Sequence, residues 1–401
     1  MNWTDARGST SVIAAFALLG VAGATAAAVE MSRVTAAATA LQDLADATAL
    51  RTARADARGE QDKVALAAGA EALALSLMDE QAPDATGAQA DVSFPEDPPA
   101  VTVRLSHKVG LFGQVSAVAT AIEEPDAPVC LLVLDPAKAG SWSVGGSSVV
   151  AAEDCAAQVN SASARALSGG GAARVHMLRT LVVGRGGALR GFTPAPRYQQ
   201  PLLADPYADQ LPWPRPAHCD HTNLELKKGS ESLQPGVYCG GLVLGSGAVA
   251  DLSPGVYVLK DGPLKLASQS TLNAPAGVTF VLVGQGGFVE TRAGADLKLK
   301  APTSGPWTGF IVAQAPNGQQ GQSSVVIGGG DVDVDGLMYL PSQHMMISGG
   351  GEGFLGGMVV NTLDMRGNGR LKLRPGIHAP VLPGTPRLEK PDDPPPPPPP
   401  G

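Results

Sequence analysis

Three short stretches hold side chains whose types and spacing could do chemistry. Asp331, Asp333 and Asp335 in GGGDVDVDG recur at i, i+2 and i+4. On a strand that spacing puts three carboxylates on one face and turns Val332 and Val334 to the other. Such a face could bind Ca²⁺ or supply an acid and a base, and without a cation the adjacent like charges are costly. The plain alternative is a solvated strand face. His218-Cys219-Asp220-His221 is the densest metal-capable run, inside a proline-rich stretch. Its plain alternative is a disulfide cysteine flanked by exposed histidines. Asn361-Thr-Leu-Asp364 and Glu352 follow the aspartate run without extending it into a clear cluster.

Other chemistries find no pattern. The six histidines, His107, His176, His218, His221, His344 and His378, form no HExxH, and there is no GxSxG elbow or GxxxxGK[ST] loop. The four cysteines, Cys130, Cys155, Cys219 and Cys239, form no CxxC, so zinc spacing is missing. No metal, cofactor or catalytic residue is assigned. Four cysteines allow three pairings, and nearness in sequence favours Cys130–Cys155 with Cys219–Cys239 in an oxidising compartment. Net charge is −8 with no basic run, so nucleic acid is not an expected partner. Gly 50, Pro 34 and only 4% aromatics suit many tight turns rather than an aromatic-lined pocket.

The element that orders the chain is Ser11 to Val29, SVIAAFALLGVAGATAAAV, with no charge. As a helix it reaches roughly 28 Å, close to the hydrocarbon thickness of a bilayer. Val12, Ile13, Phe16, Leu18, Leu19 and Val21 would carry the lipid contact, and the small residues permit close packing on a partner helix. The expectation is an uncleaved transmembrane helix after a cytoplasmic tail, 1–10. A signal peptide cleaved near Ala24-Thr25-Ala26 and an Ala-rich soluble helix are the alternatives. Residues 30–82 continue as a helical stalk, with Val34, Ala38, Leu41, Ala45 and Thr48 on one stripe, a break near Gly59, and a second helix from Val64 to Met78. Two alternating stretches, from Val101 and from Gly113, then predict a small strand region over 90–125 that packs on these helices.

The order of these elements carries a resemblance. RGSTSVIAAFALLG, then Glu30 and Arg33, LQDLADATAL, VTVRLSHKVGLFG and a Val/Ala strand ending in ATAI resemble the Tad (Flp) pilus-assembly proteins of the TadE/TadG type over residues 7–122. Prepilin-like members carry Glu five residues after the cleaved Gly, whereas Ile13 stands at that distance from Gly8, so the chain looks TadG-like rather than pilin-like. Some TadG-type proteins carry a cation site of the form DxSxS. Here Asp135-Pro136-Ala137-Lys138-Ala139 lacks both serines, so that site is not expected.

From Cys130 the texture becomes repetitive. Pro-Gly-Val-Tyr recurs at Gly236 and Gly255, 19 residues apart, and Gly277-Val-Thr-Phe follows after 22. Looser copies start at Gly309, Gly336 and Gly357, with spacings of 27 and 21. A period of this size with short strands and glycine turns predicts a parallel β-solenoid over 130–385, each strand stacked about 4.8 Å from the next. An antiparallel sandwich is the alternative, but hairpin turns are few. CLLVLDPAKAGSWSVGG, Asn160-Ser161-Ala-Ser and GVYCGGLVL are similar to a β-helical region of some TadG-like proteins. Seven prolines between Thr193 and Pro216 interrupt the solenoid with an outer loop, 193–216, anchored by Tyr207 and Trp213. Residues 386–401 form a Pro-rich tail, with a polyproline run from Pro394 to Pro400.

Many parallel β-helices cleave polysaccharide, and Asn361-Thr-Leu-Asp364 resembles part of a pectinase motif without its following Asp pair. The aspartate run matches the Ca²⁺-binding nonapeptide repeat only in part and does not recur. The expectation is therefore a mainly β, non-enzymatic component of a Tad/Flp pilus assembly or secretion system. It would be single-pass in the bacterial inner membrane, with its C-terminal region periplasmic. Its partners would be other Tad machinery proteins, with envelope or cell-wall contact through the Pro-rich tail. The alternative is a secreted or surface β-helix acting on or binding polysaccharide.

Overall fold

The computed structural model describes residues 7–389 apart from 58, 60–61, 84–85, 97–98, 110–112, 125, 187–189, 317–322, 351, 377–378, 383 and 385, with side chains from residue 28 onward except those of 123, 352 and 354. The chain divides into two units, one from residues 1–125 and 383–401, the other from 126–382.

In the first unit, α1 (Arg7–Ala57) is one helix of 51 residues and α2 (Lys63–Gln81) follows after a turn closed by Gly59 N–H on the Asp56 carbonyl, 2.9 Å. Leu41, Leu44, Ala45, Thr48, Ala49, Thr52 and Ala53 are buried, spaced as one face of a helix demands. That face packs on an antiparallel sheet of β1 (Thr86–Ser93), β2 (Ala100–Val109) and β3 (Gly113–Glu123). Alternation in β2 buries Val101, Val103, Leu105 and His107 and leaves Arg104 outside. Ala117, Ala119 and Ala121 of β3 and Ala45 and Ala49 of α1 are small enough to let helix and sheet approach closely. The part of α1 from Val34 onward and α2 thus act as core elements, because an Ala/Leu stripe this wide must be covered. The segment 386–388, expected within a Pro-rich tail, instead adds a fourth strand antiparallel to β3. Among the described residues no helix is long and apolar enough to cross a membrane. The side chains expected to do so, Val12, Ile13, Phe16, Leu18, Leu19 and Val21, lie outside those described, as do residues 1–6 and the polyproline run.

The second unit is mainly β, and its ladders are almost all parallel. Its first strands are β4 (Ala127–Val133), β5 (Trp142–Val144), β6 (Val149–Val159), β7 (Leu167–Gly169), β8 (Arg174–Val182) and β9 (Phe192–Thr193). After residues 194–220 come β10 (His221–Leu226), β11 (Gly229–Leu233), β12 (Gly236–Leu244), β13 (Ala248–Leu252), β14 (Gly255–Lys260), β15 (Leu264–Leu266), β16 (Thr271–Ala274), β17 (Val278–Val283), β18 (Val289–Thr291) and β19 (Asp296–Lys300). The series ends with β20 (Phe310–Gln314), β21 (Ser323–Ile327), β22 (Val332–Asp335), β23 (Leu337–Ser348), β24 (Glu352–Leu355), β25 (Met358–Met365), β26 (Arg370–Leu373) and β27 (Val381–Leu382), and β28 (Pro386–Leu388) is the strand returned to the first unit.

The strands stack in rungs with three faces, a β-helix-like arrangement. The first face runs β10-β12-β14-β17-β20-β23-β25-β4-β6-β8. Ten strands give nine steps, about 43 Å at about 4.8 Å each. The second face continues through β12, β15, β18, β21, β23, β25, β5 and β7. The third runs β11-β13-β16-β19-β22-β24-β26-β6-β8-β9. Spatial order therefore differs from chain order. The last rung of 221–373 stacks on the first rung of 127–182, with Met358, Val359 and Val360 opposite Leu131, Leu132 and Val133.

Inward side chains repeat rung by rung. His221, Tyr238, Tyr257 and Phe280 form one stack with ring centroids 4.5, 5.7 and 5.6 Å apart. The Tyr257 hydroxyl lies 2.9 and 2.8 Å from the carbonyls of Leu233 and Ser253 and shares its one proton between them, which meets the demand of a buried polar atom. At the corner between second and third faces, Gly349, Gly367, Gly146 and Gly171 form a column, each with φ between 70 and 96°. A Cβ on Gly146 would lie 2.3 Å from the Gly367 carbonyl, and one on Gly171 2.5 Å from that of Gly146. Only glycine fits a corner that tight.

Residues 194–219 run back along the first face as a strap. In spatial order, Pro201 and Leu203 carbonyls accept from Gln158 and Asn160, 3.2 and 2.8 Å. Tyr339 donates to Asp205, 2.8 Å, and the Tyr207 ring meets Phe310 edge-on at 5.2 Å. Trp213 meets Trp307 at 5.6 Å, and Lys260 donates to the Pro216 carbonyl, 3.3 Å. The strap covers outward apolar side chains such as Val258, Val281 and Val359, which explains why every residue of β17 and β20 is buried.

Candidate functional site

The cysteines pair as Cys130–Cys155 and Cys219–Cys239, with Cα separations of 5.8 and 5.7 Å. The first joins neighbouring strands β4 and β6, and the second ties the end of the strap to β12. Of the His218-Cys219-Asp220-His221 run, Cys219 is therefore consumed, His221 stacks on Tyr238, and Asp220 accepts from Val237 N–H at 2.7 Å. His218 stays exposed, 3.7 Å from Asp220.

Asp331, Asp333 and Asp335 are exposed on the third face, with Val334 buried behind them. The strand beneath supplies Lys298 opposite Asp333 and Lys300 opposite Asp335, and Lys298 also pairs with Asp331 at 3.6 Å. Lysines thus face the three carboxylates, as cross-strand charge pairing favours. Among the described residues no group of three His, Cys, Asp or Glu is arranged to hold a metal. Glu352 aligns with Arg370 through the backbone ladder of the same face. His107 is buried in the first unit with no partner for Nδ1 among the described residues, His176 aligns with Ala151 on the third face, and His378 lies outside them.

Two motifs far apart in sequence come together at the junction of the two rung series. Asp135 Oδ1 accepts from the N–H groups of Ala137 and Lys138, 3.0 and 2.7 Å, and Oδ2 accepts from Asn361 at 3.4 Å. Asp135 is thus a turn cap rather than a cation ligand. One residue on, Thr362 Oγ1 lies 2.8 Å from His344 Nδ1 and accepts from Lys138 Nζ at 3.5 Å. Asp364, largely buried, pairs with Arg366. Burial and the Lys138 charge depress the His344 pKa below the usual histidine value, against the opposing pull of Asp364. A neutral histidine on a hydroxyl has the form of a general base with its nucleophile. Thr362, however, is only 1% exposed, so its hydroxyl is not presented to a substrate.

Above Asp364 in the same outward column stand Ser143 and Ser168, aligned rung by rung and 2.7 Å apart. The second face of the last rungs is therefore a strip of hydroxyls bordered by cations. It can donate hydrogen bonds to an oxygen-rich ligand. Sequence reading named Asp135, Lys138, His344 and the Asn361-Thr-Leu-Asp364 stretch separately and did not single out Ser143 or Ser168; these residues meet because residue 361 stacks beside residue 135. No protein-family model, curated protein or solved structure matches this chain.

Proposed function

We propose that this chain is a non-enzymatic, membrane-anchored component of a bacterial Tad/Flp pilus assembly or secretion system, extending a periplasmic β-helical arm. The observation that carries the reading is the single helix α1. Its C-terminal half is a core element of the first unit, and its backbone continues without a break into the uncharged stretch 11–29. Val29 and Met31, where that stretch meets the packed part, are 55 and 74% exposed. A helix rooted in a folded unit at one end and apolar at the other suits a single-pass inner-membrane anchor. The stacked rungs and strap suit a rigid arm, and other Tad machinery proteins are its expected partners. The Pro-rich tail would add an envelope contact. Fractionation with protease accessibility, on cells and on spheroplasts, tests this through a C-terminal tag and the intact mass. Full-length chain in the inner membrane, degraded only once the outer membrane is opened, is the expected result. Soluble chain shortened near Ala26 would overturn it.

A second reading, a secreted or surface β-helix that acts on or binds polysaccharide, has one observation in its favour: the hydroxyl strip of the second face with its cationic borders.

A further inference from the structure

The last turns of the stack carry arginine and no acid. From Cys155 to Ala204 the chain has six arginines and no Asp, Glu or Lys, although its net charge is −8. Arg165, Arg174, Arg185 and Arg190 are exposed, and among the described residues no carboxylate lies within ion-pair distance of them. They border the hydroxyl strip on both sides. On one corner Arg185 N–H donates to the Ser163 carbonyl at 3.0 Å and the Arg165 carbonyl accepts from Gly140 N–H at 2.7 Å, so Lys138, Arg165 and Arg185 occupy successive rungs. Beyond the glycine corner, Arg174 N–H donates to the Ser148 carbonyl at 2.9 Å, and Gly191, next to Arg190, accepts from Val175 N–H at 2.7 Å. Ser143 and Ser168 lie between the two rows.

Several polyanions meet such a surface, and its chemistry separates them. Single-stranded nucleic acid needs aromatic platforms for its bases, and among the described residues the strip has none. A membrane surface would call for large apolar side chains to insert beside the cations, and among the described residues none is exposed between the two rows. An acidic peptide added as a strand needs a free ladder edge, whereas the β7 ladder is occupied by β5 on one side and, at Leu167, by Gly186 on the other. A chain of sugars fits better. Hydroxyls bond to the serines, and guanidinium forks take carboxylate, phosphate or sulfate with two parallel hydrogen bonds. The rung step of about 4.8 Å is of the same order as one pyranose unit of an extended chain.

We propose that the second face of the last rungs binds an anionic polysaccharide, with Arg165, Arg174, Arg185 and Arg190 holding its charged groups and Ser143 and Ser168 its hydroxyls. The ligand class rests on the polysaccharide-binding reading; the chain's location does not enter. Location is read by fractionation and ligand class by the binding assay below, so the two fail separately.

The test is binding of the purified full-length chain to polygalacturonate and dextran sulfate, with neutral dextran, poly-glutamate, single-stranded DNA and phosphatidylglycerol vesicles as comparators. Either anionic polysaccharide should bind tighter than every comparator and weaken as salt rises from about 0.05 to about 0.5 M. The four-fold Arg→Gln variant at 165, 174, 185 and 190 should lose about ten-fold or more in affinity. The four-fold Arg→Lys variant, which keeps the charge and guards against misfolding, should retain part of it. Lys227→Gln with Lys228→Gln, at the opposite end of the stack, should change affinity by less than about two-fold. Equal binding by the Arg→Gln variant would overturn the proposal, as would tighter binding to vesicles, DNA or poly-glutamate, or no binding to either polysaccharide.

Discussion

Gly353 occupies an inward position of the third face, aligned with Val332 below and Leu371 above. It borders an apolar void of about 60 Å³ shared with Val332, Val334, Met345 and Leu355. A Cβ there would meet Val332 at 3.5 Å, an ordinary contact. Gly353→Ala should fill part of the void and restrict the unfolded chain, raising stability by about 1–2 kcal/mol. Urea unfolding checks this, and a lowered midpoint would mean that the rungs cannot take the methyl group. The tyrosines report on burial differently. Burial, then the Asp205 charge, pushes Tyr207 up to about 12, and burial with Asp220 and Glu231 pushes Tyr238 to about 12. Both exceed the ordinary value of 10.0, so the folded state prefers the neutral phenol. Their contribution is complete below pH 10 and is lost as pH rises toward 12. The unfolding midpoint should fall across that window, and Tyr207→Phe with Tyr238→Phe should flatten the fall. His344 has the opposite sign. Its depressed value makes the folded state prefer neutral imidazole, so stability is present above the ordinary 6.5 and is lost as pH falls below it.

Corners and strap are where elements, rather than single contacts, decide the fold. Gly171 has φ of 70° and no room for a Cβ beside the Gly146 carbonyl, so Gly171→Ala combines backbone strain with a clash. A cost of about 2–3 kcal/mol is expected, against less than about 0.5 kcal/mol for Gly170→Ala, whose Cβ meets nothing within 4 Å. The strap is the larger element. Trp213→Ala should cost about 3 kcal/mol and expose 194–219 to proteolysis, because it uncovers Trp307 and Tyr339 together. Limited digestion followed by mass measurement locates the cut, and cuts elsewhere would show that the strap does not depend on this ring. Much of this was legible. The Gly-Val-Tyr spacings forecast the rung period, nearness in sequence forecast both disulfides, and Tyr207 and Trp213 were correctly taken as anchors. VTFVLV and FIVAQ also carried the signal for a covered first face, since continuous apolar runs mark strands buried on both sides.

At the scale of the molecule, the order of rungs is the feature no local pattern encoded. Parallel ladders bond backbone to backbone, so β4 carries no side-chain label saying that β25 rather than β9 lies beside it. The hydroxyl strip was hidden for the same reason, since Asn361 and Asp135 are bonded across 226 positions. The cationic borders were not hidden: a run of 50 residues with six arginines and no acid is visible in composition once looked for. The seam has a thermodynamic consequence. In a simple solenoid, coupling passes only between consecutive rungs and the ends can fray separately. Here the rungs of 127–182 and 221–373 share the seam of Leu131, Leu132 and Val133 with Met358, Val359 and Val360, while the strap and both disulfides bridge the remaining rungs. Unfolding of 126–382 should therefore be a single transition despite the length of the stack. Leu131→Ala, whose side chain is fully buried at the seam, should cost about 2–5 kcal/mol and split that transition in two. Amide exchange should then show loss of protection first in 127–182, the shorter rung series. One transition in the variant, with protection lost evenly along the stack, would mean that the strap rather than the seam joins the two series.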